Sequence, residues 1–167
     1  MNKKQLLVIL ASLLVAIPSY AETGKVTANG EELEITDDMF YHDKYILILK
    51  STEDYNEAVA FAVQSREKLG LKFDNDKVKY SKSKGIYFSE DIDDVAYRGK
   101  YYPRRYDGEY ISLENSNGYY GFSPGYIIVV GGIYSDKKSA DKGLSRVKEF
   151  YKDAYAKKTV MWMGCIH

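Results

Sequence analysis

Tyr101-Tyr102-Pro103-Arg104-Arg105-Tyr106 is the stretch of this sequence best equipped to hold a ligand. Tyrosine offers a flat apolar face with a polar tip, which suits stacking on a sugar ring or contact with a protein. A guanidinium meets a carboxylate through a planar fork of donors. Eight of the 17 tyrosines lie between Tyr97 and Tyr126, so the aromatic excess is local. Two arrangements accommodate it. The segment is a binding loop, or its tyrosines pack on an exposed sheet face with their hydroxyls in solvent.

Patterns for catalysis are sparse. Glu90, Asp91, Asp93 and Asp94 form an acidic cluster without the spacing or turn glycine of a calcium loop, and read as a solvated loop. His42 and His167 are far apart, and Cys165 sits next to the C-terminus, where rigid preorganisation is difficult. Gly131-Gly132 follows an apolar run but lacks the lysine and hydroxyl residues of a phosphate loop. The expectation is a chain that is not an enzyme and uses no metal or cofactor.

Composition narrows the class further. The 167 residues are 45% hydrophobic and 29% charged, enough to bury a core. Lysine plus arginine equals aspartate plus glutamate at 24 each, which argues against a nucleic-acid binder held by charge. One cysteine excludes an intrachain disulfide framework. Residues 1–21 read as a secretory signal peptide: Lys3 and Lys4, an apolar run from Leu6 to Ile17, then Pro18 and Ser19-Tyr20-Ala21. As a helix that run spans about 18 Å, short of a bilayer core of about 30 Å. Cleavage after Ala21, a periplasmic or secreted mature chain and no stable membrane insertion are expected.

The elements that position the tyrosine-rich segment follow from periodicity. Residues 22–40 form an extension in which Asn29-Gly30 marks the turn of a small hairpin. Tyr45-Ile46-Leu47-Ile48-Leu49 reads as a buried strand, followed by an acidic cap at Asp54, a helix through Ala58 to Leu69 and a stop at Gly70. The order repeats at Tyr126 to Val130. Ser135 is the cap candidate there, and Ala140, Leu144, Val147, Tyr151 and Ala154 recur at helical spacing. Thr159 to Met163 closes with a strand. Two βαβ halves make an α+β ferredoxin-like β-α-β-β-α-β sandwich, an antiparallel sheet with two helices on one face. The remaining strand is Gly85 to Ser89 or Glu109 to Glu114; the second makes the better hairpin partner and leaves residues 72–108 as an insertion.

Gly125-Tyr126-Ile127-Ile128-Val129-Val130-Gly131-Gly132-Ile133-Tyr134, with Ser135, Asp136 and the helix through Ala140 and Leu144, resembles the SPOR (sporulation-related repeat) family. The resemblance spans roughly residues 44 to 164 apart from the insertion. In the first copy, Lys50 and Ser51 stand where the glycine falls in the second. The resemblance implies a non-catalytic bacterial envelope protein that binds peptidoglycan on the open face of its sheet, with a preference for glycan strands stripped of stem peptides.

Alternation along the strands turns Tyr126, Ile128 and Val130 toward the helices and Ile127 and Val129 outward. It turns Tyr45, Leu47 and Leu49 inward, and Ile46, Ile48 and Lys50 outward. Outward positions in the family often carry Gln or Arg. An aliphatic outer face supplies no hydrogen bonds to a sugar and needs a cover, from the insertion, the N-terminal hairpin or a second chain. The candidate ligand-binding residues are therefore Tyr101, Tyr102, Arg104, Arg105 and Tyr106 in the loop, with Ile127 and Val129 on the sheet. The expected partner is peptidoglycan glycan or an envelope protein. The competing expectation is a protein–protein interaction module, a homodimer through its apolar sheet face.

Overall fold

The computed structural model describes residues 24–28, 31–35, 40–101 and 103–164. The signal peptide, Tyr102, Cys165 and His167 lie outside the described residues. Residues 24–35 form a hairpin in a unit of its own, with β1 (Gly24–Ala28) antiparallel to β2 (Glu31–Ile35).

The second unit is the expected sandwich. Strand β3 (Tyr41–Thr52) runs into α1 (Tyr55–Leu69), and β6 (Ser112–Asn115), β7 (Ile127–Tyr134), α2 (Lys137–Val147) and β8 (Tyr155–Trp162) complete it. The sheet order is β6-β7-β3-β8, with every neighbouring pair antiparallel. Between α1 and β6, the insertion carries a separate hairpin, β4 (Val78–Ser81) with β5 (Gly85–Phe88), and a 3₁₀ turn at Val95–Tyr97. Both candidates for the remaining strand are thus extended, and the Glu109 to Glu114 region supplies the one in the sheet.

Helix α1 begins where Asp54 accepts hydrogen bonds from the Asn56 and Glu57 N–H groups at 2.8 and 3.1 Å, and it stops at Gly70 in the left-handed conformation. Helix α2 departs from expectation at both ends. Asp136, not Ser135, is the cap, accepting from the Ser139 N–H at 2.9 Å. The helix closes at Val147, where the chain must reverse to lay β8 beside β3, so Tyr151 and Ala154 pack on the core from a turn. Among the described residues, no helix is long and apolar enough to cross a membrane.

Both helices lie on one face of the sheet. Leu47, Leu49, Ile127 and Val129 bury there against Ala58 and Ala62 of α1 and Ala140 and Val147 of α2. Ile127 and Val129 are therefore core residues, and their expected outward orientation is corrected. Their neighbours Ile128 and Val130 point the other way, into a second core with Ile46, Ile48, Ile133 and Met161. Two bulges set the phase. Leu47 pairs with Gly132 and Ile48 with Val130, leaving Gly131 extra in β7; Lys50 then pairs with Val129, leaving Leu49 extra in β3. A Cβ at Gly131 would approach Leu49 Cδ2 to 2.8 Å, so the bulge needs a residue without one. The bulge at Leu49 also brings Lys50 to the helix side, where its ammonium pairs with Glu57 at 2.9 Å and lies over the Phe61 ring.

Candidate functional site

The second sheet face is the surface on which the family resemblance places a ligand. In this chain it is closed. Tyr119, Phe122 and Met163 pack on Ile46, Ile48, Ile128, Val130, Ile133 and Met161. The main cover is the connection between β6 and β7, which begins with a 3₁₀ turn at Ser116–Gly118. Thr159 Oγ1 donates to the Tyr120 carbonyl at 2.9 Å and Lys157 Nζ to the Gly121 carbonyl at 2.6 Å, which fastens this connection to β8. Among the described residues, Ile46, Ile48, Ile128, Val130, Ile133 and Met161 of this face are thus buried by the chain itself.

Tyr101 and residues 103–110 are tied to β6 and β7 by buried polar groups and backbone hydrogen bonds. Arg104 is 6% exposed. Its Nε donates to the Tyr106 carbonyl at 3.2 Å, its Nη1 to that of Tyr110 at 2.7 Å and its Nη2 to that of Gly108 at 2.6 Å. Its backbone N–H and the Tyr101 hydroxyl both donate to Glu114 Oε2, at 3.2 and 2.9 Å. Gly108 in turn exchanges two backbone hydrogen bonds with Ile133 on β7. Burial pushes the Glu114 carboxyl above its ordinary range, against the pull of the donors around it. Burial and the nearby Glu114 carboxylate push the Tyr101 and Tyr119 hydroxyls well up. Burial lowers the Arg104 guanidinium from its ordinary value, opposed by Tyr110 and Glu114. Tyr101 and Arg104, expected as ligand contacts, are consumed in building the loop.

Arg105 and Tyr106 are placed differently. Tyr106 is 69% exposed. The Arg105 guanidinium carbon lies 3.8 Å from the centroid of the Trp162 ring, a cation–π contact. Residues 103–105 form a wall shared by two depressions. The first, about 550 Å³, lies against the insertion hairpin, with Tyr87, Phe88, Tyr97, Tyr106 and Tyr110 among its walls. Lys77, Asp74, Asp93 and Asp94 line it too. The second, about 620 Å³, is a groove between Tyr41, Asn117, Tyr120, Val160 and Trp162. Tyr120 is 79% exposed there, presented by the connection that Thr159 and Lys157 hold down. Both volumes fall within the usual range for small-molecule sites.

Sequence reasoning missed Glu114, Tyr120 and Trp162. Trp162, the only tryptophan, and the Tyr119-Tyr120 pair were the available signals. They come together with Arg105 only because β8 lies beside β3 and the long connection folds back over the sheet.

One other cluster has catalytic residue types. Lys44 Nζ donates to Ser135 Oγ at 2.7 Å and to Asp107 Oδ2 at 2.8 Å. Burial raises the Asp107 carboxyl, but hydrogen bonds from Lys44 and Ser135 outweigh burial and hold it below the usual range. The cluster acts as a tie between the loop, β3 and the entry to α2.

Comparison of the chain with protein-family models, with curated proteins and with solved structures finds no match in any of the three.

Proposed function

We propose that this chain is a non-catalytic binding module of the bacterial cell envelope that recognises peptidoglycan glycan through the groove around Arg105, rather than through the sheet face. The observation that carries this reading is the groove itself. Tyr41, Tyr120 and Trp162 offer aromatic surface to the C–H faces of sugar rings, and Asn117 lines the same groove with a polar amide. The SPOR resemblance and the signal-peptide reading of residues 1–21 support the destination.

The test is co-sedimentation of the purified protein with cell-wall sacculi. Pelleting that falls at least about ten-fold in Tyr120→Ala, the loss of one aromatic anchor, supports the groove. A protein that stays in the supernatant with every sacculus preparation ends the glycan reading.

A second reading takes an envelope protein as the partner. Exposed tyrosines beside a half-buried tryptophan and arginine are also the residue types that anchor protein interfaces. A pull-down from envelope extract that Tyr120→Ala abolishes, combined with no sacculus binding, selects this reading.

A further inference from the structure

The two edges of the four-stranded sheet are finished differently. At the β6 edge, Ile111 bridges Phe73, and the Asn115 amide bonds both backbone groups of Ile86. At the other edge, β8 has no strand beside it among the described residues. Its ladder to β3 runs through all eight residues without a bulge. The Met163 N–H donates to the Phe40 carbonyl at 2.7 Å, and antiparallel strands alternate between bonded and non-bonded pairs. Tyr155, Lys157, Thr159 and Met161 therefore direct their backbone groups to β3. Ala156, Lys158, Val160 and Trp162 direct theirs outward, four N–H groups and four carbonyls. The Thr159 hydroxyl also approaches the Val160 carbonyl, at 3.4 Å, which leaves that oxygen a second lone pair.

Natural sheet edges are blunted by a proline, a bulge or an outward lysine. Strand β8 has no proline and no bulge. It has two adjacent lysines, and both ammonium groups are turned back over the sheet. Lys158 Nζ pairs with Asp43 on β3 at 2.5 Å. Lys157 Nζ donates to the Gly121 carbonyl and lies over the Phe122 ring. Tyr155 and Val160 are exposed along the same strand. The edge is long, regular and unguarded, which makes it a template for a further strand.

We infer that the added strand is β8 of a second copy, antiparallel to the first about a two-fold axis at Thr159, so that two four-stranded sheets become one. Outward residues must pair with outward residues, which limits a two-fold to a few registers. Centring it on Lys158 opposes two like charges, which is unfavourable. Centring it on Thr159 runs the pairing along the whole strand, with Lys158 opposite Val160, Ala156 opposite Trp162 and Lys157 opposite Met161. No like charges meet, the Lys158 stem covers Val160, and every outward N–H and carbonyl of β8 is bonded. The inference goes beyond the glycan reading and does not depend on it, and its test needs no cell wall.

The experiment combines sedimentation velocity of the purified protein over a range of concentrations with cysteine cross-linking. The wild type is expected to pass from monomer to dimer as concentration rises. Val160→Lys sets an ammonium opposite Lys158 twice in each dimer, and is expected to weaken dimerisation about ten-fold. Val160 is exposed, so this variant is expected to melt as the wild type does. In a Cys165→Ser background, Lys158→Cys protein mixed with Val160→Cys protein is expected to form a disulfide under mild oxidation, because hydrogen-bonded pairs lie about 5.5 Å apart at Cα. Each of the two alone is expected to cross-link far less. A wild type that stays monomeric up to about 1 mM overturns the inference and leaves the edge to a partner of another kind. So does a dimer that Val160→Lys leaves intact, or one in which the mixed disulfide does not form.

Discussion

Arg104 and Tyr110 hold each other twice. The guanidinium carbon lies 3.2 Å from the centroid of the Tyr110 ring, and Nη1 donates to the Tyr110 carbonyl at 2.7 Å. With the bonds to Tyr106 and Gly108, one side chain fixes the shape of residues 104–110. That shape places Arg105 over Trp162 and Tyr106 at the cavity, so a buried arginine positions a half-buried one.

Arg104→Ala leaves three loop carbonyls without the guanidinium donors that hold them. The expected loss is about 3–5 kcal/mol of unfolding free energy, measured by urea denaturation. Arg104→Lys recovers little of it, because an ammonium cannot reproduce a planar fork that reaches three carbonyls. A loss below about 1 kcal/mol in Arg104→Ala would show that the loop keeps its shape without the clamp.

Tyr120→Ala is expected to change stability by less than about 0.5 kcal/mol, since the ring is exposed and its backbone is held by Thr159. Ile128→Ala, on the covered face, is expected to cost about 2–5 kcal/mol. Thermal melts of the two variants side by side distinguish a recognition surface from a core. An Ile128→Ala protein as stable as wild type would reopen the sheet face as a ligand surface.

Glu114 and Asp107 give opposite pH dependences. The Glu114 carboxyl is raised in the folded state, so the fold binds its proton more tightly than the unfolded chain does. Stability from this group is present at low pH and falls as pH rises from the ordinary glutamate range through the raised value. The Asp107 carboxyl is lowered, so its contribution is present above the ordinary aspartate range and is lost as pH falls through the lowered value. Glu114→Gln is expected to flatten the decline above the ordinary glutamate range, and Asp107→Asn the decline on the acid side. Urea midpoints measured across pH check both, and a Glu114→Gln profile parallel to wild type would contradict the first.

Asn115 docks the insertion hairpin. Its side-chain amide accepts from the Ile86 N–H and donates to the Ile86 carbonyl, both at 2.9 Å, in the manner of a neighbouring strand. A Cβ at Gly85 would meet the Asn115 oxygen at 2.6 Å, and Gly85 has a φ of 70°. Asn115→Ala is expected to cost about 1–3 kcal/mol and to speed hydrogen exchange at the Ile86 amide while β3 and β7 stay protected. Unchanged exchange at Ile86 would mean that the hairpin is held by its apolar contacts alone.

How much the sequence revealed depends on the range of the interaction. The β-α-β-β-α-β order was readable because apolar runs, Asp54 and Gly70 act within a few residues of themselves. The face assignment was readable for Tyr45 to Leu49, which alternate without interruption as far as the bulge. It failed at Ile127 and Val129. Which face a strand turns inward is set by its pairing, and bulges at Gly131 and Leu49 shift the phase without altering the apolar pattern.

By itself the sequence determined the two helices, the four sheet strands, an aliphatic second face in need of a cover, and a loop rich in tyrosine and arginine. Only the tertiary structure decided what each of those did. The cover came from the β6–β7 connection, because Thr159 and Lys157 on β8 offer donors to its carbonyls. Arg104 and Arg105, adjacent and chemically identical, parted roles because backbone direction turned one toward three buried carbonyls and the other toward Trp162. Burial and partner geometry are properties of the folded chain, and residue type alone does not encode them.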